Sequence, residues 1–194
     1  RSTWSDALAS PERHRVIKEL IPALVRTARK ILPDRFAKFE SLANRPIYAV
    51  DGSYQKESVH YKSINPSEGG EDNPKGHAMM TFFDLRLGLQ IDVFVETSSH
   101  HEMFLFKEYL ASYQVHFQQK NTLYLLDRAY ISALFWDKQK KETGTTMISR
   151  MKSNLIINSR EKLEFSNSEC NQGVSKDEKV TLNSSKQPWR LITY

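Results

Sequence analysis

Leu123-Tyr124-Leu125-Leu126-Asp127-Arg128-Ala129-Tyr130 is the stretch on which the fold turns. Four consecutive apolar residues stop at an aspartate, with no glycine or proline beside it to form a turn. A strand that is apolar at every position is expected to be buried on both faces, as in the middle of a parallel sheet. Downstream, residues 132–142 read as a helix ending at Gly144, a suitable left-handed cap. Residues 145–149 then read as the next strand.

Upstream, Ile47-Tyr48-Ala49-Val50 is a second short apolar run. It meets Asp51-Gly52-Ser53 and reads as a strand that stops in a turn. Between the two runs, residues 78–84 and 89–96 form a predicted hairpin around Arg86-Leu87-Gly88. Ile91, Val93 and Val95 alternate with Asp92, Phe94 and Glu96, as in a strand with two unlike faces. Residues 63–76, rich in proline, glycine, asparagine and charge, read as an exposed loop. Ser99 and Glu102 have capping-box spacing, and the helix after them would align Met103, Phe106, Leu110 and Tyr113, with Leu105 and Tyr109 beside the stripe.

The order strand, hairpin, helix, strand, helix, strand implies a mixed α/β sheet flanked by helices. Residues 10–43 read as a helical lead-in. Pro11 stands at a good helix start, and Val16, Ile17, Leu20, Ile21, Leu24, Val25 and Ala28 recur at helical spacing. Pro22 and Pro33 should kink or interrupt it. After Lys152, strand-like pieces at 155–158, 180–183 and 189–194 flank a polar loop at 166–179. These boundaries divide the chain into a helical segment (1–45), a core (46–154) and a β-rich insertion (155–194).

Composition narrows the class without deciding it. With 39% hydrophobic and 26% charged residues, the chain is ordinary for a globular protein. One cysteine, Cys170, excludes an internal disulfide and any cysteine-based zinc cluster. No apolar run approaches the roughly 18–20 residues needed to span a membrane. The net charge of +5 favours a polyanionic partner, because neutralising phosphates releases counterions.

Two aspartates carry the chemical signal. Asp51 and Asp127 each follow a short apolar strand, and ligands of open α/β sheets bind at the carboxyl ends of strands. If the strands are neighbours, the two carboxylates converge, and they resist ionising together unless a cation lies between them. Oxygen-only ligands favour Mg²⁺ or Mn²⁺, ions suited to phosphoryl transfer. The alternative is that Asp-Gly at a strand end is simply a turn pair. His100, His101 and Glu102 do not make a metal cluster, because adjacent residues on a helix do not face one another. His101 is instead a candidate polar residue near the site.

The segments Tyr48-Ala49-Val50-Asp51-Gly52-Ser53, Leu125-Leu126-Asp127-Arg128-Ala129-Tyr130 and Ile148-Ser149-Arg150-Met151-Lys152-Ser153-Asn154 resemble, in order and spacing, the catalytic domain of bacterial insertion-sequence DDE transposases. Gly76-His77 and Ser99-His100-His101-Glu102 fit the same likeness, which spans about residues 46–154. Ala129 departs from it, standing where that family often has glycine. The resemblance implies an RNase H-like fold with Asp51 and Asp127 as catalytic metal ligands for Mg²⁺ or Mn²⁺. Arg128, Arg150, Lys152, His101 and Tyr130 are then candidate DNA contacts, although the three basic residues read equally as solvated surface charge and Tyr130 reads more readily as a packed aromatic.

The third ligand in that family is a glutamate within a Tyr-x-x-Arg-x-x-x-Glu motif, and no such segment is present. Glu161, Glu164, Glu169 and Glu178 lack the signature, so none is assigned the role. Both ends are accordingly expected to be cut from a longer protein, and the fragment to be inactive alone. The implied partners are double-stranded DNA, at element ends and target, and a second copy in the synaptic complex. The implied setting is a bacterial cytoplasm, with nucleoid association through DNA. Two other functions fit the residues: a different RNase H-fold nuclease, or a non-catalytic DNA-binding remnant.

Overall fold

The computed structural model describes residues 11–56, 76–96, 101–112 and 120–194. Its centre is a five-stranded mixed sheet in the order β3-β2-β1-β4-β5. The strands are β1 (Ile47–Lys56), β2 (Gly76–Asp84), β3 (Leu89–Glu96), β4 (Leu123–Leu126) and β5 (Thr146–Ser149). β1 pairs antiparallel with β2, and β2 with β3. On its other edge β1 pairs in parallel with β4, and β4 with β5. A hairpin arm joined to parallel strands and flanked by helices is the RNase H-like mixed α/β arrangement expected from the sequence.

Among the described residues, three helices accompany the sheet: α1 (Pro11–Ile31), α2 (Glu102–Ser112) and α3 (Ala133–Thr143). α3 ends as anticipated, with Gly144 in the left-handed region at φ 73°. Gly88 takes the same region in the hairpin turn, at φ 71°. The core lies between one sheet face and the helices, and is strongly aromatic. Phe106 of α2 is fully buried, with its ring edge-on to Tyr124, Tyr130 and Phe135 at centroid distances of 5.5, 5.6 and 6.3 Å. Tyr109 stacks on Phe82 at 3.9 Å, and its hydroxyl donates to Asp92 at 2.8 Å. Such rings bury large apolar areas while fixing their mutual geometry.

Several expectations need correction. β1 does not stop at Asp51. It continues to Lys56 because β2 keeps pairing with it, Asp51 opposite Thr81 and Gly52 opposite Met80. β4 is covered on both faces at its start, where Leu123 is buried, and on one face only beyond it. Tyr124 and Leu126 are buried, whereas Leu125 is 38% exposed on the face where Ile148 and Val95 are also open. The helical lead-in ends at Ile31, two residues before Pro33, and runs through Pro22. Of its apolar stripe, Val25 is buried while Val16, Leu20 and Leu24 are more than half exposed. Residues 34–46 continue as turns with one short 3-10 segment at Glu40–Leu42.

The base of the sheet is tied to this lead-in by two arginines, Arg45 of the lead-in and Arg86 of the hairpin turn. Arg45 donates to the Asn121 carbonyl at 2.8 Å and to Thr146 at 2.6 Å. Arg86 reaches Asp34 and the carbonyls of Leu42 and Arg45. The expected loop at 63–75, the cap residue Ser99, His100 and Tyr113 lie outside the described residues. Among the described residues, no helix is long and apolar enough to cross a membrane.

Beyond β5 the chain forms a separate antiparallel sheet, β6-β7-β8, from β6 (Ile157–Lys162), β7 (Lys176–Leu182) and β8 (Pro188–Thr193). The sequence reading placed a polar loop through residue 179. β7 instead begins at Lys176, because β8 pairs with it from that residue on, with Val180 and Leu182 buried on one face and Asp177 on the other. This small sheet is fastened to α3 through Asp137. Its carboxylate accepts from the Ser185 hydroxyl (2.8 Å), the Lys186 N–H (2.9 Å) and the Trp189 indole N–H (3.1 Å). Trp136 and Trp189 stack with ring planes 5° apart.

Candidate functional site

Strand register brings the two aspartates together. Val50 lies opposite Leu126 in the parallel β1–β4 pair, so the next residues, Asp51 and Asp127, stand side by side. Neighbouring strands are roughly 4.8 Å apart. Leu126 in turn lies opposite Ser149, which sets Arg150 next in the same row. Arg150 donates to Asp127 at 3.0 Å. The three parallel strands thus present Asp51, Asp127 and Arg150 along one edge.

Asp127 begins a 3-10 turn, Arg128–Tyr130. The Arg128 backbone N–H and the Arg150 guanidinium hold its carboxyl below the usual range. Both charged partners are exposed, with Arg150 at 76% and Asp127 at 49%, so this ion pair is soft and solvent-screened. Arg128 is exposed, and Lys152, two residues after Arg150, is half-buried. His101 is exposed at the start of α2, where its Nδ1 accepts from the Met103 N–H at 3.2 Å.

Tyr130 is not placed to stack on a base. It is fully buried, edge-on to Phe106, and has no ring face open to a ligand. Its hydroxyl has no hydrogen-bond partner among the described residues, an arrangement rare enough in folded proteins to need a cause. Burial, reinforced by the charges of Glu102, Asp51 and Asp127, pushes this phenol well above its ordinary range.

Glu102 is the residue that the sequence reading passed over. Read there as the capping partner of Ser99, it sits half-buried in the first turn of α2, against Gly52 and Tyr130. Its carboxyl is raised above the ordinary value, first by burial and then by Asp51, with a smaller push from Asp127; His101 opposes the shift. Gly52 makes the approach possible. A Cβ there would lie 2.7 Å from the Tyr130 hydroxyl and 2.8 Å from Cδ of Glu102.

The four other glutamates considered do not join this group. Glu161 and Glu178 make cross-strand ion pairs with Lys179 and Arg160 in the small sheet, at 3.3 and 2.8 Å. Glu164 and Glu169 are exposed. Among the described residues, no three acidic, histidine or cysteine side chains already stand close enough to enclose a cation. What is present is a set of oxygen donors near one another, with Arg150 and Arg128 as the positive side chains acting on Asp127 and His101 acting on Glu102.

Comparison with known proteins bears on the whole chain. A search of curated proteins finds no match. Among solved structures, Ciona intestinalis endonuclease V bound to a 24mer DNA containing an inosine followed by a ribo-adenosine is 13% identical. It covers 90% of this chain and 81% of its own, at a TM-score of 0.31. A substituted form of the same enzyme with a 23mer DNA is 12% identical, covering 95% and 83%, at a TM-score of 0.33. At such TM-scores these likenesses bear on neither fold nor function. The family model described as transposase DDE domain matches residues 42–192, across both sheets. The chain therefore belongs to the transposase DDE domain family.

Proposed function

We propose that this chain forms the cation-binding part of a DNA transposase, with Asp51 and Asp127 as ligands of Mg²⁺ or Mn²⁺. The observation that carries this reading is the parallel register that sets the two carboxylates side by side at the carboxyl ends of adjacent strands. The donor set fits such an ion. It is all oxygen, and a buried hydroxyl nearby lacks a partner among the described residues. A bound divalent ion supplies Lewis acidity toward a phosphodiester. The reaction we propose is hydrolysis of DNA at an element end, followed by transfer of the freed 3′-hydroxyl to target DNA.

The chain's own residues then have distinct parts. Asp51 and Asp127 hold the ion. Arg150 neutralises Asp127 while no cation does so and is free to turn to a DNA phosphate afterwards, since its side chain is largely exposed. Arg128 and Lys152 flank the same edge as further phosphate contacts, and His101 lies beside Glu102 at the approach to it. In this reading residues 46–154 are the core, 155–194 belong to the β-rich insertion, and 1–45 are a helical lead-in.

The test is Mn²⁺ titration of the 194-residue chain by calorimetry, alone and with duplex DNA. Saturable binding lost in both Asp51→Asn and Asp127→Asn, with Mn²⁺ strengthening DNA association, is the expected result. DNA association that ignores Mn²⁺ and both substitutions would instead identify a binding module without metal chemistry.

A further inference from the structure

We propose that Glu102 is a third acidic residue of this cation site. It is a positioning residue that adds charge to Asp51 and Asp127 and, with the Tyr130 hydroxyl, orients the water around a hydrated divalent ion. The inference rests on the cation reading given above and extends it to a residue from another element.

Three observations meet at one point. First, α2 delivers Glu102 to the Gly52 backbone, immediately beside Asp51, and the glycine leaves the space that a side chain would fill. Second, the Tyr130 hydroxyl, carried by the 3-10 turn after β4, reaches the same point, fully buried and unpartnered among the described residues. An orphaned buried hydroxyl costs roughly 1–3 kcal/mol, so a fold that keeps one at a cluster of carboxylates has a use for it. Third, a recess lies there, lined by Gly52, Ser53, Glu102 and Tyr130 together with apolar residues of β2 and α2.

Glu102 does not stand within direct reach of a cation enclosed by three side chains as placed. Its part is therefore to accept hydrogen bonds from the ion's water rather than to bind it directly. Groups of this outer kind govern affinity: their loss typically weakens metal binding about 10–100-fold.

The experiment is Mn²⁺ titration, by calorimetry and by the Mn²⁺ paramagnetic resonance signal, of the chain and of Glu102→Gln, Gly52→Ala, Asp51→Asn and Asp127→Asn. Thermal unfolding is followed in parallel. Glu102→Gln keeps shape and removes charge, so a purely structural role would leave Mn²⁺ affinity alone. Expected is a loss of about tenfold in affinity with unfolding preserved. Gly52→Ala, which retains every carboxylate but crowds Glu102 and Tyr130, should show the same direction.

Wild-type affinity in Glu102→Gln, with binding lost in the two aspartate variants, overturns the Glu102 inference and leaves the proposed function standing. Unchanged binding in the aspartate variants overturns the proposed function and the inference with it.

Discussion

The two sheets of this molecule are held together by different physics. The five-stranded sheet is an apolar structure: Tyr48, Val50, Met80, Phe82, Tyr124 and Leu126 are buried against aromatic residues of α2 and α3. The three-stranded sheet buries little besides Val180 and Leu182. Its strands are linked by ion pairs, Arg160–Glu178, Lys179–Glu161 and Arg190–Asp177. The exposed pair among these, Lys179–Glu161, contributes ~0–1 kcal/mol, far less than a buried ring, and the other two each keep a covered carboxylate against a half-exposed arginine. The small sheet therefore depends on its attachment to α3, through Asp137 and the Trp136–Trp189 stack, whereas the large sheet carries its own core. A site built on β1, β4 and α2 sits on the stiffer of the two.

The contrast can be broken by substitution. Phe106→Ala should have the largest effect, about 3–5 kcal/mol, the usual cost of emptying a packed aromatic site. Urea unfolding would show it as a loss of the whole chain's cooperative transition. If Phe106→Ala proves milder than any change in the small sheet, the division of labour described above is wrong.

A smaller and local effect is expected of Asp137→Ala. Three donors would lose their acceptor, at roughly 1–3 kcal/mol. Amide exchange should accelerate in β6–β8 while β1 and β4 stay protected. Equal loss of protection in both sheets would mean that they unfold as one unit.

The subtlest effect is acid sensitivity. The Arg190 guanidinium, donating to Asp177 at 2.9 Å, holds that carboxyl below its ordinary value of 3.8. A depressed carboxylate contributes stability that is present above the ordinary value and is lost as pH falls through the lower, folded one. The β7–β8 pair should therefore loosen progressively below about pH 3.8. Asp177→Asn should flatten that profile and leave the large sheet's acid response unaltered. A profile identical to wild type would show that Asp177 does not couple to the small sheet's stability.

Much of the architecture could be read locally. β4 announced itself by four apolar residues, α3 by the cap residue Gly144, and the hairpin by the turn at Arg86-Leu87-Gly88 before the alternating run at 91–96. Asp51 and Asp127 stood out because both follow such runs, and the resemblance to DDE transposases added weight that spacing alone lacked. The errors fall where a neighbour outranked the local pattern. Asp-Gly at 51–52 signals a turn, but β2 continues the ladder past it. Charge-rich residues 176–179 signal a loop, but Asp177 finds Arg190 across the sheet and is buried there.

The sequence by itself determined which segments are strand and helix, and that two carboxylates follow apolar strands, because both properties depend on residues close in the chain. Only the tertiary structure decided that β1 and β4 are neighbours in a register that sets Asp51 against Asp127. It also decided that Leu125 lies on an open face and that Glu102 and Tyr130 meet over Gly52. Those facts depend on pairing and packing between segments far apart in sequence, where no local period carries the information.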